Sequence, residues 1–109
     1  MEQQQRRQHR IGVALEVWIR GANRHGIAFE EVTHSDDVSR SGCSFHTTHE
    51  VALGAEIEIE IIRHITGSSS SFRTRGRVLR VTPEAPERFF VGVRFIGAQF
   101  PTYSSESTS

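Results

Sequence analysis

Alternation of apolar and polar side chains at every second position is the feature that most constrains how this chain can fold. In residues 11–20 the apolar side chains occupy the odd positions, Ile11, Val13, Leu15, Val17 and Ile19. Because successive side chains of a strand point to opposite faces, this spacing predicts a β-strand with one buried face. The alternation recurs over residues 55–61, 72–78 and 88–96, and no helical periodicity longer than two turns stands out. We therefore expect an all-β domain.

The region after the first strand has a less regular pattern. Residues 27–32 predict a second strand, with a bulge or a strand end near Glu30 and Glu31, where the alternation is lost. Residues 35–42 predict a turn segment, because they are rich in Asp, Ser and Gly. A short third strand is then expected to begin at Cys43.

Two later segments predict a hairpin whose register is set by charge. Residues 55–61 carry glutamates on one face, and residues 72–78 carry arginines on one face. Folded together, they pair Glu60 with Arg73, Glu58 with Arg75, Glu56 with Arg77, Ile61 with Phe72 and Ile59 with Thr74. Opposite charges across strands contribute about 0.2–1 kcal/mol per pair, so they fix register more than they stabilise the fold. The serine-rich connection over residues 66–71 is predicted to be a flexible hairpin tip.

Six strands without a covering helix would leave open edges and an exposed apolar face unless the sheet closes on itself. We therefore predict a six-stranded antiparallel barrel over residues 11–97. Residues 1–10 are predicted to be a flexible segment. Residues 98–109 are predicted to be a disordered tail with little or no helix, because the end of the chain is rich in serine, threonine and glutamate.

Charge and cysteine content exclude several classes of protein. Thirteen basic residues, all arginine, balance thirteen acidic ones, so the chain lacks the net positive field of a protein that coats DNA or RNA. The single cysteine, Cys43, cannot form an internal disulfide. No apolar run is long enough to cross a bilayer, and residues 1–8 do not resemble a secretory signal. These observations predict a cytoplasmic protein with no membrane insertion.

The polar segment ahead of the first strand carries side chains suited to binding an anion. Arg6, Arg7 and Arg10 place three guanidinium groups within five residues. Guanidinium groups bind phosphate bidentately, so two phosphates of one ligand could order this segment. Taken alone, the segment is more typical of a solvated basic tail.

A second polar segment is Asp37-Val38-Ser39-Arg40-Ser41-Gly42. Asp and Ser at this spacing commonly bind their own backbone in a tight turn, and Gly42 is suited to a positive φ. The segment is also suited to guanine, because a carboxylate accepts both hydrogens of the N1 and N2 edge and a glycine lets a ligand approach the backbone. Both interpretations stay open for the segment alone.

Together the two segments resemble the signature of the PilZ family. That signature is R-x-x-x-R before the first strand and then D/N-x-S-x-x-G, and this chain has Arg6-Arg7-Gln8-His9-Arg10 followed by the segment from Asp37 to Gly42. Val91-Gly92-Val93-Arg94-Phe95 is also similar to the closing strand of such domains. The resemblance covers about residues 5–97. It implies a split β-barrel that binds cyclic di-GMP on its outer surface, under the N-terminal segment.

The resemblance also implies which residues bind cyclic di-GMP. They are Arg6, Arg7, Arg10, Asp37, Ser39, Arg40 and Gly42, with Arg94 as a supporting residue. Arg6 and Arg10 would hold the phosphates and guanine edges, and Asp37 and Ser39 would bind one guanine by hydrogen bonds. No other cofactor is implied. The expected partners are cyclic di-GMP, as one molecule or a stacked pair, and a downstream protein.

Other functions have weaker support from the residues. His46 and His49 form the only close histidine pair, and on a strand that spacing sends the side chains to opposite faces, which disfavours a metal site. No nucleophile elbow surrounds a serine, so we do not expect an enzyme. A barrel that binds single-stranded RNA needs exposed aromatic residues, and only Trp18 clearly lies on a polar face. The alternative that stays open is a PilZ-like module that binds a protein and no nucleotide.

Overall fold

The computed structural model describes residues 14–101, which form six β-strands and, within that range, no helix. The strands are β1 (Glu16–Ala22), β2 (Ala28–Val38), β3 (Gly42–Thr47), β4 (Glu56–Ile65), β5 (Ser68–Ala85) and β6 (Arg88–Ile96). The all-β prediction is confirmed. Among the described residues there is no helix long and apolar enough to span a membrane. Ile11 and Val13, which the alternation assigns to the first strand, lie outside the described residues.

The strands close into a barrel in the order β1-β2-β3-β6-β5-β4, and each neighbouring pair is antiparallel. Four of these pairs are hairpins between consecutive strands. The other two, β3 with β6 and β1 with β4, join strands that are distant in sequence and close the cylinder. Each strand therefore has two hydrogen-bonded neighbours, which satisfies its backbone and protects its edges. The predicted six-stranded antiparallel barrel is confirmed.

The barrel interior is filled by side chains from alternate positions of the strands. The most deeply buried are Val17, Ile19, Val38, Phe45, Ile57, Ile59, Ile61, Val78 and Val91. The alternation in the sequence is thus the alternation between the inside and the outside of the barrel. This buried apolar surface is the main source of stability for a chain of this size.

The register predicted for the β4–β5 hairpin is confirmed at all five pairs. The ion pairs, however, do not all follow the direct cross-strand partners. Arg75 and Arg77 both lie close to Glu56, at 3.4 and 3.0 Å, while Glu58 lies 3.6 Å from Arg20 of β1. The glutamates of β4 therefore pair with arginines on both neighbouring strands and link three strands of the outer surface.

Strand β2 is longer and more regular than predicted. It runs without a break past Glu30 and Glu31, so the bulge or strand end predicted there is wrong. Glu31 occupies an inward position at the barrel end, where its carboxylate accepts a hydrogen bond from Thr47 Oγ1, and Val32 faces outward. At these two positions the polar residue points inward and the apolar residue points outward, although the backbone stays regular. The real register shift lies between Ser35 and Asp37, inside the predicted turn.

The connection between β4 and β5 is shorter than predicted. Only Thr66 and Gly67 lie outside the strands, with Gly67 at a φ of 81°. The four serines from Ser68 to Ser71 pair with β4 and begin an 18-residue strand. The prediction of a flexible tip over residues 66–71 is therefore wrong, because backbone pairing outweighs the weak strand preference of serine.

The segment that follows β6 packs against the barrel. Phe100 is 1% exposed, and its ring meets Phe72 edge to face at a centroid distance of 5.3 Å. Its backbone N–H donates to the carbonyl of Arg40 at 2.9 Å. The predicted tail begins at residue 98, whereas the apolar ring of Phe100 is part of the core. Residues 102–109 of that tail lie outside the described residues.

We predict that core packing and surface charge on β4 contribute very differently to stability. Ile59→Ala should lower the free energy of unfolding by about 2–5 kcal/mol, because it leaves a cavity in the barrel core. Glu58→Gln, at the adjacent outward position, should change it by less than about 1 kcal/mol, because its ion pair is exposed. Urea unfolding followed by tryptophan fluorescence measures both. A larger loss for Glu58→Gln than for Ile59→Ala would contradict this assignment.

Candidate functional site

A cleft of about 600 Å³ lies on the outer surface beside the turn between β2 and β3. Within residues 14–101, three parts of the chain contribute to its wall. The turn and its flanks supply Asp37, Ser39, Ser41 and Gly42; β5 supplies Leu79 and Arg80; and β6 supplies Phe90, Gly92 and Arg94. The pairing of β3 with β6 brings these parts together, since it places Gly42 opposite Arg94 and Ser44 opposite Gly92. A volume of this size lies within the range of about 300–1,000 Å³ typical of small-molecule sites.

The β2–β3 turn holds Asp37 and Ser39 at the cleft. The backbone N–H of Ser39 donates to the carbonyl of Gly42 at 2.8 Å, which closes the turn tightly. The register shift between Ser35 and Asp37 places two consecutive acidic residues outside the core. Asp36 lies 2.8 Å from Nδ1 of His46, whereas Asp37 lines the cleft. The bulge thus separates a structural carboxylate from one that faces the cleft.

Gly42 is required by the close approach of two strands. A Cβ atom at this position would lie 2.2 Å from the carbonyl oxygen of Val93, a separation that real Cβ atoms do not adopt. The positive-φ glycines among the described residues are Gly26, Gly54, Gly67 and Gly97. The suggestion that Gly42 supplies a positive φ is therefore wrong. Because Gly42 has no side chain, β3 can pair closely with β6, and residues of these two paired strands line the cleft.

Arg80 is a cleft residue that the sequence interpretation missed. The pairing of β5 with β6 shifts between Val78 and Arg80, so that Leu79 and Arg80 both lie on the outside of the barrel. The guanidinium of Arg80 lies over the ring of Phe90, with Cζ 5.2 Å from the centroid. It also passes next to Gly92, where a Cβ would be 3.6 Å from Nη2. The signal in the sequence is the three-residue spacing between the apolar positions 78 and 81, which is typical of a bulge.

The predicted site residues divide into three groups. Asp37, Ser39, Gly42 and Arg94 line the one cleft. Arg40 extends away from it, and its Nη2 donates to Oε1 of Gln99 at 3.0 Å. Arg6, Arg7 and Arg10 lie outside the described residues. The described wall of the cleft therefore combines one carboxylate, several hydroxyl groups and two guanidinium groups. This set can bind both a hydrogen-bond-donating base and an anion.

Cys43 also lines the cleft, but its chemistry is that of a core residue. Burial raises the pKa of its thiol to about 12, so the thiol stays protonated at neutral pH and is a poor nucleophile. Residues 14–101 contain no group of three His, Cys, Asp or Glu side chains that could hold a metal ion. His46 and His49 have separate neighbours: His46 lies 2.9 Å from Glu84, and the ring of His49 stacks on Phe29.

A second, smaller cavity of about 360 Å³ lies on the face formed by β1, β4 and β5. Its charged groups include Arg20, Glu58, Glu60 and Arg73, and these already form ion pairs with their neighbours. Of the predicted site residues within 14–101, none lines this cavity. The cleft at the β2–β3 turn is therefore the better candidate for a ligand site.

Comparison with known proteins identifies one family and two solved structures of similar fold. The family model described as PilZ domain matches residues 4–105. Among solved structures, the Bacillus subtilis inhibitor of motility (MotI/DgrA) is similar with a TM-score of 0.71 and 16% identity, over 94% of this chain and 47% of that chain. The K. pneumonia MrkH complex with c-di-GMP is similar with a TM-score of 0.56 and 15% identity, over 85% of this chain and 45% of that one. This chain thus spans about half the length of both, and at these identities the likeness shows the fold. No curated protein sequence matches significantly.

We predict that Gly42→Ala destabilises the barrel without any ligand present. The new methyl group must push β3 away from β6, which we expect to lower the free energy of unfolding by about 1–3 kcal/mol. Gly92→Ala is the matched control, because its methyl group would meet only Arg80 at ordinary contact distance. Urea unfolding of the two variants without nucleotide tests this. Equal stabilities would show that strand approach is not the reason for glycine at position 42.

Proposed function

This chain belongs to the PilZ domain family, and from that premise we propose that it is a receptor for cyclic di-GMP. The observation that carries the proposal is the position of the D-x-S-x-x-G segment. Its Asp37, Ser39 and Gly42 line the same cleft as Arg94 and Arg80. The cleft thus offers a carboxylate suited to guanine and guanidinium groups suited to phosphate. One of the similar structures, that of K. pneumonia MrkH, is itself a complex with c-di-GMP.

The chemistry of the cleft matches the two parts of this ligand. Asp37 is assigned to the N1 and N2 hydrogens of one guanine, because a carboxylate is an acceptor for both. Ser39 adds a hydroxyl that donates or accepts. Arg94 and Arg80 are assigned to the phosphates and to the acceptor edge of guanine, and Arg80, already held against Phe90, presents a flat cation on which a base can stack.

The start of β1 supports a role for the N-terminal arginines. Leu15 and Ser35 are joined by a pair of hydrogen bonds: the Ser35 N–H donates to the Leu15 carbonyl at 2.8 Å, and the Leu15 N–H donates to Ser35 Oγ at 3.0 Å. The chain therefore enters the barrel beside Ser35, which lies close in sequence to Asp37. Arg10 is five residues before Leu15, a distance of at most roughly 17 Å in extended chain. Arg6, Arg7 and Arg10 are thus assigned to the phosphates of a ligand held in this cleft.

The signal is proposed to be a change of surface. Cyclic di-GMP would order residues 5–10 against the barrel, and the new surface would change affinity for a downstream protein in the cytoplasm. The ligand would act by binding the ordered state more tightly than the free one. No catalytic step, DNA or RNA polymer, membrane insertion or further cofactor is part of this proposal.

We predict that wild-type protein binds cyclic di-GMP in calorimetric titration and that Arg10→Ala binds about tenfold to a hundredfold more weakly, the loss expected for one charged hydrogen bond. Asp37→Asn should also weaken binding, because an amide cannot accept both guanine hydrogens. Arg24→Ala is the control: its guanidinium pairs with Glu50 at 3.1 Å and does not line the cleft. Equal affinities for wild type and Arg10→Ala would reject the role of Arg10.

The alternative function, a protein-interaction module that binds no nucleotide, is tested by the same titration. It predicts no heat of binding for the wild type at any cyclic di-GMP concentration. It also predicts that the cleft variants stay folded and keep their affinity for a protein partner. The intact D-x-S-x-x-G segment and the two guanidinium groups of the cleft favour the receptor.

We also predict that the first ten residues exchange their amide hydrogens quickly without cyclic di-GMP and slowly at saturation. Ordering of a segment against the barrel protects its N–H groups from water. Hydrogen exchange read by mass spectrometry measures this on the N-terminal peptide. The β4–β5 hairpin serves as an internal reference whose exchange should not change. Unchanged exchange of the N-terminal peptide at saturation would remove the ordering step and leave binding in place.

A further inference from the structure

The β2–β3 turn has two sides with different contacts. Ser39, Ser41 and Gly42 line the cleft on one side. On the other side, the turn is hydrogen-bonded to Phe95 of β6 and, by two bonds, to residues 97–101, which follow β6. The Arg40 carbonyl accepts from the Phe100 N–H at 2.9 Å, the Ser41 carbonyl accepts from the Phe95 N–H at 2.7 Å, and the Arg40 side chain donates to Gln99.

The segment held by the turn, residues 97–101, is itself anchored in the barrel. The Phe100 ring is 1% exposed and packs on Phe72, and the Arg63 guanidinium lies 5.3 Å from its centroid. Gly97, with a φ of 97°, turns the chain after β6 so that this segment runs back to the turn. A buried aromatic residue outside the cleft therefore contributes to holding the turn in place.

We propose that Arg40, Gln99 and Phe100 are positioning residues that couple nucleotide binding in the cleft to docking of residues 97–101. This inference rests on the proposed function, because it assigns a regulation to the same cleft. Arg40, which the family signature places among candidate ligand contacts, then acts through Gln99 and Phe100 and not by touching the nucleotide. Binding in the cleft favours the turn conformation that holds the segment, and the docked segment raises the affinity for the nucleotide by the same factor.

A double-mutant cycle separates this role from direct contact. Arg40→Ala and Gln99→Ala should each weaken cyclic di-GMP binding about threefold to tenfold, the effect of one hydrogen bond, and the double variant should lose no more than either single variant. Arg24→Ala and Glu50→Gln, a similar exposed pair elsewhere, should leave the affinity unchanged. If Arg40→Ala weakens binding while Gln99→Ala binds like wild type, Arg40 contacts the ligand and the coupling is wrong.

Hydrogen exchange tests the coupling from the other end. Saturating cyclic di-GMP should slow exchange of the Phe100 N–H by at least about threefold. Linkage requires this, because nucleotide binding must favour docking by the same factor by which docking raises the affinity. Unchanged exchange at this amide would overturn the proposal. Calorimetric titration of the wild type comes first, because absence of cyclic di-GMP binding would refute the receptor proposal itself.

A measurement without nucleotide tests the contact between the β2–β3 turn and residues 97–101 independently of the receptor proposal. Gln99→Ala should speed exchange of the Ser39 N–H and modification of Cys43 by a thiol reagent, since both depend on local opening of the turn and β3. Modification of this buried thiol in the wild type should be slow. If wild type binds no cyclic di-GMP, the receptor proposal fails and the coupling of binding fails with it. Unchanged rates in Gln99→Ala would instead refute the link between the turn and residues 97–101.

Discussion

The antiparallel pairing of β3 with β6 is the interaction on which the site depends. Four of the six strand pairs are hairpins that local sequence can form, but this one joins residues about fifty positions apart. It brings the turn after β2 next to β6 and, through β6, next to the bulge of β5. It is possible only because Gly42 lets the Val93 carbonyl approach to a distance that any side chain would block. The glycine of the family signature is therefore first a condition of barrel closure.

Two bulges shape the wall of the cleft, one in β2 and one in β5. Each places two consecutive side chains on the outer surface, which a regular strand cannot do. The β2 bulge places Asp37 at the cleft, while the neighbouring Asp36 pairs with His46. The β5 bulge places Arg80 at the cleft, where Leu79 adds an apolar edge. The two walls are also linked through the rings, because His46 lies 5.1 Å from Phe90, over which Arg80 lies. Irregular pairing here supplies functional groups at the surface without disturbing the core.

The sequence predicted what depends on local alternation and missed what depends on distant contacts. The β4–β5 register and the bounds of β6 followed from charge and apolar spacing, because each of these three strands has one inner and one outer face. Glu31 was misread, because its inward carboxylate is satisfied by distant residues, Thr47 at the end of β3 and Thr48 directly after it. The family signature identified three cleft residues, Asp37, Ser39 and Gly42. Arg80 could not be identified in this way, because it reaches the cleft only through the β5 bulge. The direction of the Arg40 side chain could not be predicted either, because it depends on a hydrogen bond to the distant Gln99. Phe100 was assigned to a tail, because a single aromatic residue carries no periodicity.

The charge in the cleft explains why the proposed site requires residues outside the barrel. The described wall supplies two guanidinium groups and one carboxylate, a net excess of one positive charge, against the two negative phosphates of a cyclic dinucleotide. In the proposed assignment Asp37 binds the base, so its negative charge is part of the site. Any further positive charge must therefore come from a segment that reaches the cleft, and the Leu15–Ser35 contact fixes where such a segment begins. The barrel alone would then bind the base with low affinity. Tight binding of the phosphates would depend on ordering of Arg6, Arg7 and Arg10. Under this proposal, the negative charge of the ligand would drive the change of conformation.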